Sequence, residues 1–121
     1  MNVEELLEKY ALGFRDFSGI VIPEANLAGI KLSGVDLSYA DLSIVNLSGS
    51  NLTKANLSYA QLNVARLSGA HLEGANLTKA SLNVANLIRA NLNNAQLVRA
   101  SLIRGELIRA DFSRANLLEA N

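Results

Sequence analysis

An all-β solenoid of square cross-section, about five coils long and capped at its N-terminus by a short α-helix, is the fold this sequence predicts. Three observations predict it. Leu or a close substitute stands at every fifth residue from Phe17 to Leu117, without a slip of register. A small residue stands two places before it in most units, and only the first dozen residues carry a helical apolar pattern.

The five-residue period excludes the ordinary elements. A step of five advances a helix by about 500°, which scatters the leucines around its axis. In a strand, an odd step sends successive leucines to opposite faces. If the chain instead turns through roughly a right angle once per unit, Leu and the small residue both point inward everywhere, because residues two apart share a face. Four units then close one square coil, and coils stack at about the 4.8 Å strand spacing, giving a rod about 25 Å long.

The inward pair is strict. Among the 21 units between Arg15 and Glu119, the large position holds Leu in 18, Ile22 in one, and Phe17 and Phe112 in two. The small position is Ala in 14 of them, with Ser50 and Gly105 as other small choices. One large and one small side chain per side fill a narrow tube, since interiors are close-packed. Ile20, Ile30, Val35 and Val45 lie in the first two coils and imply a slightly different filling there.

Units such as ANLAG, VDLSY, ADLSI and ANLSY make this chain resemble the pentapeptide-repeat family, A-(D/N)-L-x-x, from about Arg15 to its end. The resemblance implies a right-handed quadrilateral β-helix; the handedness comes from the family and not from the period. The opening MNVEELLEKYALGFRDFSGI is also similar to cyanobacterial members in which a short helix precedes a first unit close to RDFSG. The expected organisation is a capping helix and connection over 1–14 and the solenoid over 15–121.

A solenoid must cover its ends, where core and unpaired strand edges are otherwise bare. At the N-terminus, Asn2 is placed to cap a helix, Glu5 to complete a capping box, and Gly13 to end it. Val3, Leu6, Leu7, Tyr10 and Ala11 form one apolar face, expected to lie on the first coil near Phe14 and Ile20–Ile22. Pro23 follows, placed to prevent extra strand pairing. No comparable cap is legible after Ala120, so the last coil is expected to be covered by another molecule or by further chain.

Composition narrows the function classes. Eleven basic and eleven acidic side chains cancel, so no global field recruits nucleic acid or an anionic membrane. The absence of cysteine excludes disulfides and thiolate chemistry,. Apolar runs are too short to span a bilayer and no secretory signal is visible. The expectation is a soluble cytoplasmic protein with no cofactor, no metal and no small-molecule substrate. No nucleophile–base pair, acid pair or ligand cluster points to an enzyme. His71, the sole histidine, sits at an asparagine-type position without an evident carboxylate partner and reads as a surface residue.

Stacking by twenty sorts the outer residues into columns. Asp16, Asp36, Asn56, Asn76, Gln96 and Asn116 follow one another, as do Asp41, Gln61, Ser81 and Ser101. These read either as a polar groove or, in keeping with the repeat, as side chains bonding to backbone at turns. Tyr39, Tyr59, Lys79, Arg99 and Glu119 form a ladder suited to ring stacking and cation–π contact. Ile44, Val64 and Val84 form an outward β-branched column.

Toward the C-terminus, Ile88, Val98, Ile103, Ile108 and Leu118 replace the usual Ser, Thr or Asn, interleaved with Arg89, Arg99, Arg104, Arg109 and Arg114. Apolar residues beside arginine are typical of protein interfaces, although Ile and Val also simply favour β structure. These ten residues are the candidate interface for an unidentified protein partner or for a homodimer through the C-terminal coil. The predicted function is a non-enzymatic interaction or scaffold module. The alternative carried by the resemblance is mimicry of duplex DNA toward gyrase, which the neutral charge and short rod disfavour.

Overall fold

In the computed structural model, which describes residues Met1–Asn121, helix α1 spans Val3–Ala11 and everything after it is a succession of turns and isolated bridges. Seventeen parallel bridges join residue n to residue n + 20, from Asp16↔Asp36 to Gln96↔Asn116, so four five-residue units make one turn of the coil. Each unit contributes one side, and the four sides are numbered here by the leucines Leu37, Leu42, Leu47 and Leu52.

One unit explains the whole rod, because every backbone N–H in it has an assigned partner. In the unit Val35–Tyr39, the Asp36 N–H donates backward to Arg15 O at 2.8 Å, and those of Leu37 and Tyr39 donate forward to Asn56 O and Ser58 O. The next N–H, of Ala40, closes a turn onto Leu37 O at 3.1 Å. That leaves Ser38, whose N–H donates to Asp36 Oδ1 at 3.0 Å. The asparagine-type position is therefore a cap for the one donor that neither the ladder nor the turn satisfies.

The turn has a definite type. A positive φ at its third residue alone, with the first-to-fourth hydrogen bond closed, defines type II. All 21 units have it: that residue is Gly in six and something else in fifteen, with φ between 57 and 72°. Pro23 occupies the second place of such a turn, where its fixed φ is favourable. Its role is thus in the turn. Val21, two before it, carries no cap, and proline has no N–H to leave uncapped.

The core is one continuous column. Every leucine from Leu27 to Leu97 is fully buried, as are the small residues between them from Val35 to Ala100. Ser50 is the exception in kind: its hydroxyl is buried among Leu and Ala with no hydrogen-bond partner.

Helix α1 closes the N-terminal end. Asn2 Oδ1 accepts from Glu5 N at 2.9 Å, one half of the expected box. At the other end, Phe14 N donates to Lys9 O and Gly13 N to Tyr10 O, the Schellman pattern, with Gly13 at φ 100°,. Leu6 is fully buried, and Val3, Leu7 and Tyr10 pack against the core beside it. Ala11 and Phe14 are exposed, contrary to expectation, because the Schellman turn swings the chain away from the coil after Tyr10. Tyr10 fixes the helix to the fourth side by donating its hydroxyl to Ser33 O at 2.7 Å, and Arg15 stacks over its ring at 3.7 Å.

Candidate interaction surface

The corners of the rod carry the residues at positive φ, and they give each side a different character. Tyr39, Tyr59, Lys79, Arg99 and Glu119 stand along the corner between the first and second sides. Ile44, Val64, Val84 and Arg104 line the next. Gly29, Gly49, Gly69, Arg89 and Arg109 line the corner between the third and fourth. A stiff scaffold thus repeats one outward position at each step of the coil.

The aromatic ladder forms as the sequence suggests. Tyr39 and Tyr59 stack with centroids 4.7 Å apart and planes within 7°, and Lys79 Nζ lies 5.3 Å from the Tyr59 centroid. Arg99 continues the column with a 2.6 Å bond to Glu119. Along the polar columns the amides and carboxylates bond to backbone: Asn46, Asn51, Asn56, Asn76, Asn86 and Asn91 each cap the N–H two residues on. Ser18 and Ser113 donate both hydroxyl and backbone N–H to Asp16 and Asp111, and these bonds lower both carboxyls below the usual aspartate value.

The second side departs from this rule. Ser81 and Ser101 stand where the cap should be, and the missing acceptor comes from the preceding coil. Asn63 Oδ1 accepts from Asn83 N at 2.9 Å and from Ser81 Oγ at 2.6 Å. Asn83 Oδ1 does the same for Ile103 N, at 3.0 Å. The signal for this was in the sequence, as Asn at the position after Leu followed eighteen residues later by Ser before Leu.

The ten candidate interface residues do not form one patch. Ile88, Arg89, Ile108 and Arg109 share the third side and its corner. Val98, Arg99 and Leu118 are on the first, opposite it; Ile103 and Arg104 are on the second, and Arg114 is on the fourth. Their sequence clustering wraps them around the rod as a girdle, because neighbouring units occupy different sides. Ile108 is 67% exposed, and the leucines of the last described coil are open too, Leu107 by 37% and Leu117 by 43%. His71, expected to lack a carboxylate partner, has one: its Nδ1 lies 3.3 Å from Glu73 Oε1, and Thr53 holds the other carboxylate oxygen at 3.1 Å. The pair is on the fourth side, away from any depression.

A single surface depression of about 450 Å3 occurs, on the third side, lined by Ser68, Gly69, Asn86, Ile88 and Arg89. It is the step where the bare corner Gly29, Gly49 and Gly69 gives way to Arg89 and Arg109. Sequence reasoning missed it, because a run of glycines twenty residues apart is visible only after the columns are aligned.

A solenoid of twenty-residue coils, closed by type II turns and capped by Asx side chains, defines a class of repeat protein. The chain belongs to the pentapeptide repeat family: eight copies of its repeat model match over residues 16–49, 30–63, 65–102 and 95–121. HetL from the cyanobacterium Nostoc sp. strain PCC 7120, a pentapeptide repeat protein involved in heterocyst differentiation regulation, is 41% identical, with a TM-score of 0.94 over 95% of this chain. The match covers 48% of HetL, so this chain spans about half its length. A second Nostoc pentapeptide repeat protein is 38% identical, with a TM-score of 0.81, over 91% of this chain and 94% of its own. One from the thylakoid lumen of Arabidopsis thaliana is 30% identical, TM-score 0.77, over 78% and 66%. No curated protein matches the chain. The fold is the right-handed quadrilateral β-helix of this family. No helix is long and apolar enough to cross a membrane.

Proposed function

We propose that this protein is a non-enzymatic docking rod that binds a protein partner through its outer faces, in a cytoplasmic setting. One observation carries the reading: large apolar side chains and unpaired guanidiniums are displayed together on a rigid, filled scaffold. Ile103, Ile108 and Leu118 are exposed, while Arg89, Arg104, Arg109 and Arg114 have no carboxylate within 4.0 Å. Desolvated arginine beside apolar anchors is the composition of protein interfaces. A regulatory role of the kind named for HetL is consistent with such a rod.

A photo-crosslinking residue placed at Ile108, compared with one at Asp36, tests the proposal in extracts of the source organism. The expected result is a discrete adduct at Ile108 that Arg109→Glu abolishes. Equal, diffuse labelling at both positions would refute it. Sedimentation over a range of concentrations, with Ile108→Lys as control, separates a second copy of the chain from a foreign partner.

A further inference from the structure

The third side combines three features that no other side has. Its near corner is an apolar rail, Ile44, Val64 and Val84, each about half exposed. Its floor is small or polar, with Asn46, Arg66 and Asn86 one coil apart. Its far corner is bare at Gly29, Gly49 and Gly69, and then rises to Arg89 and Arg109. Val64 precedes Arg66 by two residues with the buried Ala65 between them, so rail and floor are contiguous.

The depression on this side carries a single charge, that of Arg89, and the one carboxylate of the floor column, Glu106, lies one coil beyond Asn86. Arg66, Arg89 and Arg109 form none of the chain's ion pairs, which are His71–Glu73 and Arg99–Glu119. Arg89 lines the depression together with Ile88, and Arg66 is bridged to Asn86 of the same lining. The rail is also held at a cost. Ile44, Val64 and Val84 adopt φ of 60, 61 and 61°, a left-handed conformation that costs an L-residue about 1–2 kcal/mol and a β-branched one the most. Glycine fills the equivalent place on the opposite edge of the same side. Every corner of the rod carries this turn, so the strain belongs to the repeat and falls hardest on β-branched residues such as these,.

We propose that the third side docks an amphipathic α-helix of a partner protein, its apolar stripe on Ile44, Val64 and Val84 and its carboxylates at Arg66, Arg89 and Arg109. The inference rests on the docking-rod reading and names the site and the partner's chemistry. The geometry selects a helix. Two coil steps from Ile44 to Val84 span about 9.6 Å, and two helical turns span about 10.8 Å. An extended strand places same-face side chains about 13.5 Å apart over the same two steps and loses register. The glycine corner leaves room for the helix to lie along the rod, and the arginines select an acidic flank.

The probe is a synthetic leucine–glutamate amphipathic helix, with a matched leucine–lysine helix as its counterpart, titrated by fluorescence anisotropy against the full chain. Binding of the glutamate helix only, weakening with salt, is expected. Arg66→Glu with Arg89→Glu lowers its affinity by at least about tenfold, Val64→Ser weakens it, and Lys54→Glu on the diagonally opposite corner leaves it unchanged. Thermal melts of each variant confirm that the rod is intact. No binding of the glutamate helix, equal binding of both helices, or equal loss with Lys54→Glu overturns the proposal. So does a dimer of the chain itself that occludes the third side. If crosslinking at Ile108 succeeds while the helix titration fails, the rod docks partners by other sides and only this inference falls.

Discussion

The side-chain oxygen of Asn63 caps the backbone N–H of Asn83, one full coil further along the rod, at 2.9 Å. Apart from this bond and its repeat from Asn83 to Ile103 N, the cap and the capped N–H lie in the same unit. The cross-coil bond therefore ties the register of two coils through a side chain as well as through the ladder. Asn63→Ala should cost about 1 kcal/mol, the usual worth of such a bond plus the stranded donor. Adding Ser81→Asn, which restores a cap inside the unit, should recover most of the loss in a denaturant melt. A double variant no more stable than Asn63→Ala would show that the two caps are not interchangeable.

Ser50 stands in the alanine position of the core with its hydroxyl buried and unpaired. Ser50→Ala removes the stranded group at nearly constant volume. Stability should rise by about 1 kcal/mol, seen as a Tm increase of several degrees. A lower Tm would reveal a partner for the hydroxyl.

Positive φ makes opposite predictions at two residues of the third side. Gly69, at φ 65°, has nothing near the position its Cβ would take, so Gly69→Val should destabilise through the backbone alone, by about 1–2 kcal/mol. Val64→Gly relieves the same strain and should be neutral or stabilising, since the flexibility glycine adds to the unfolded chain offsets part of the gain. The same substitution should weaken binding of the glutamate helix. Stability and docking are then set against each other at one corner.

Acid should loosen the rod from both ends. Asp16 and Asp111 are lowered first by the side-chain bonds from Ser18 and Ser113 and then by their backbone bonds. A carboxyl lowered in the folded state stabilises it above the unfolded value, about 3.9, and that contribution disappears as pH falls through the folded value. Asp16→Asn with Asp111→Asn keeps the acceptor oxygens and removes the titration. Its melts should therefore depend less on pH below about 4. An unchanged acid limb would exclude these two groups as its source.

The five-residue period made the inward pair, the twenty-residue coil and the aromatic ladder legible, because each follows from which residues recur and how far apart. What stayed hidden depends on backbone torsion and on azimuth. Ile44, Val64 and Val84 look like strand residues in the sequence, and only the turn geometry shows them at positive φ. Arg89, Arg99 and Arg109 look like one cluster, yet Arg99 points from the opposite side to the other two. Glu73 stands two residues from His71, and their contact depends on a bend that composition does not encode. Pro23 is legible only once the turn type is known.

Each unit also turns the chain by a quarter of a circle and advances it by a quarter of a coil. Removing one whole unit would keep every Leu and Ala inward while rotating all that follows by a right angle about the axis. Removing four would restore the alignment and shorten the rod by one step. Sequence length in this molecule is therefore an angular setting. Deleting the unit Ala85–Arg89 would carry Arg109 from the far corner of the third side to the corner of the rail, without changing the identity of either.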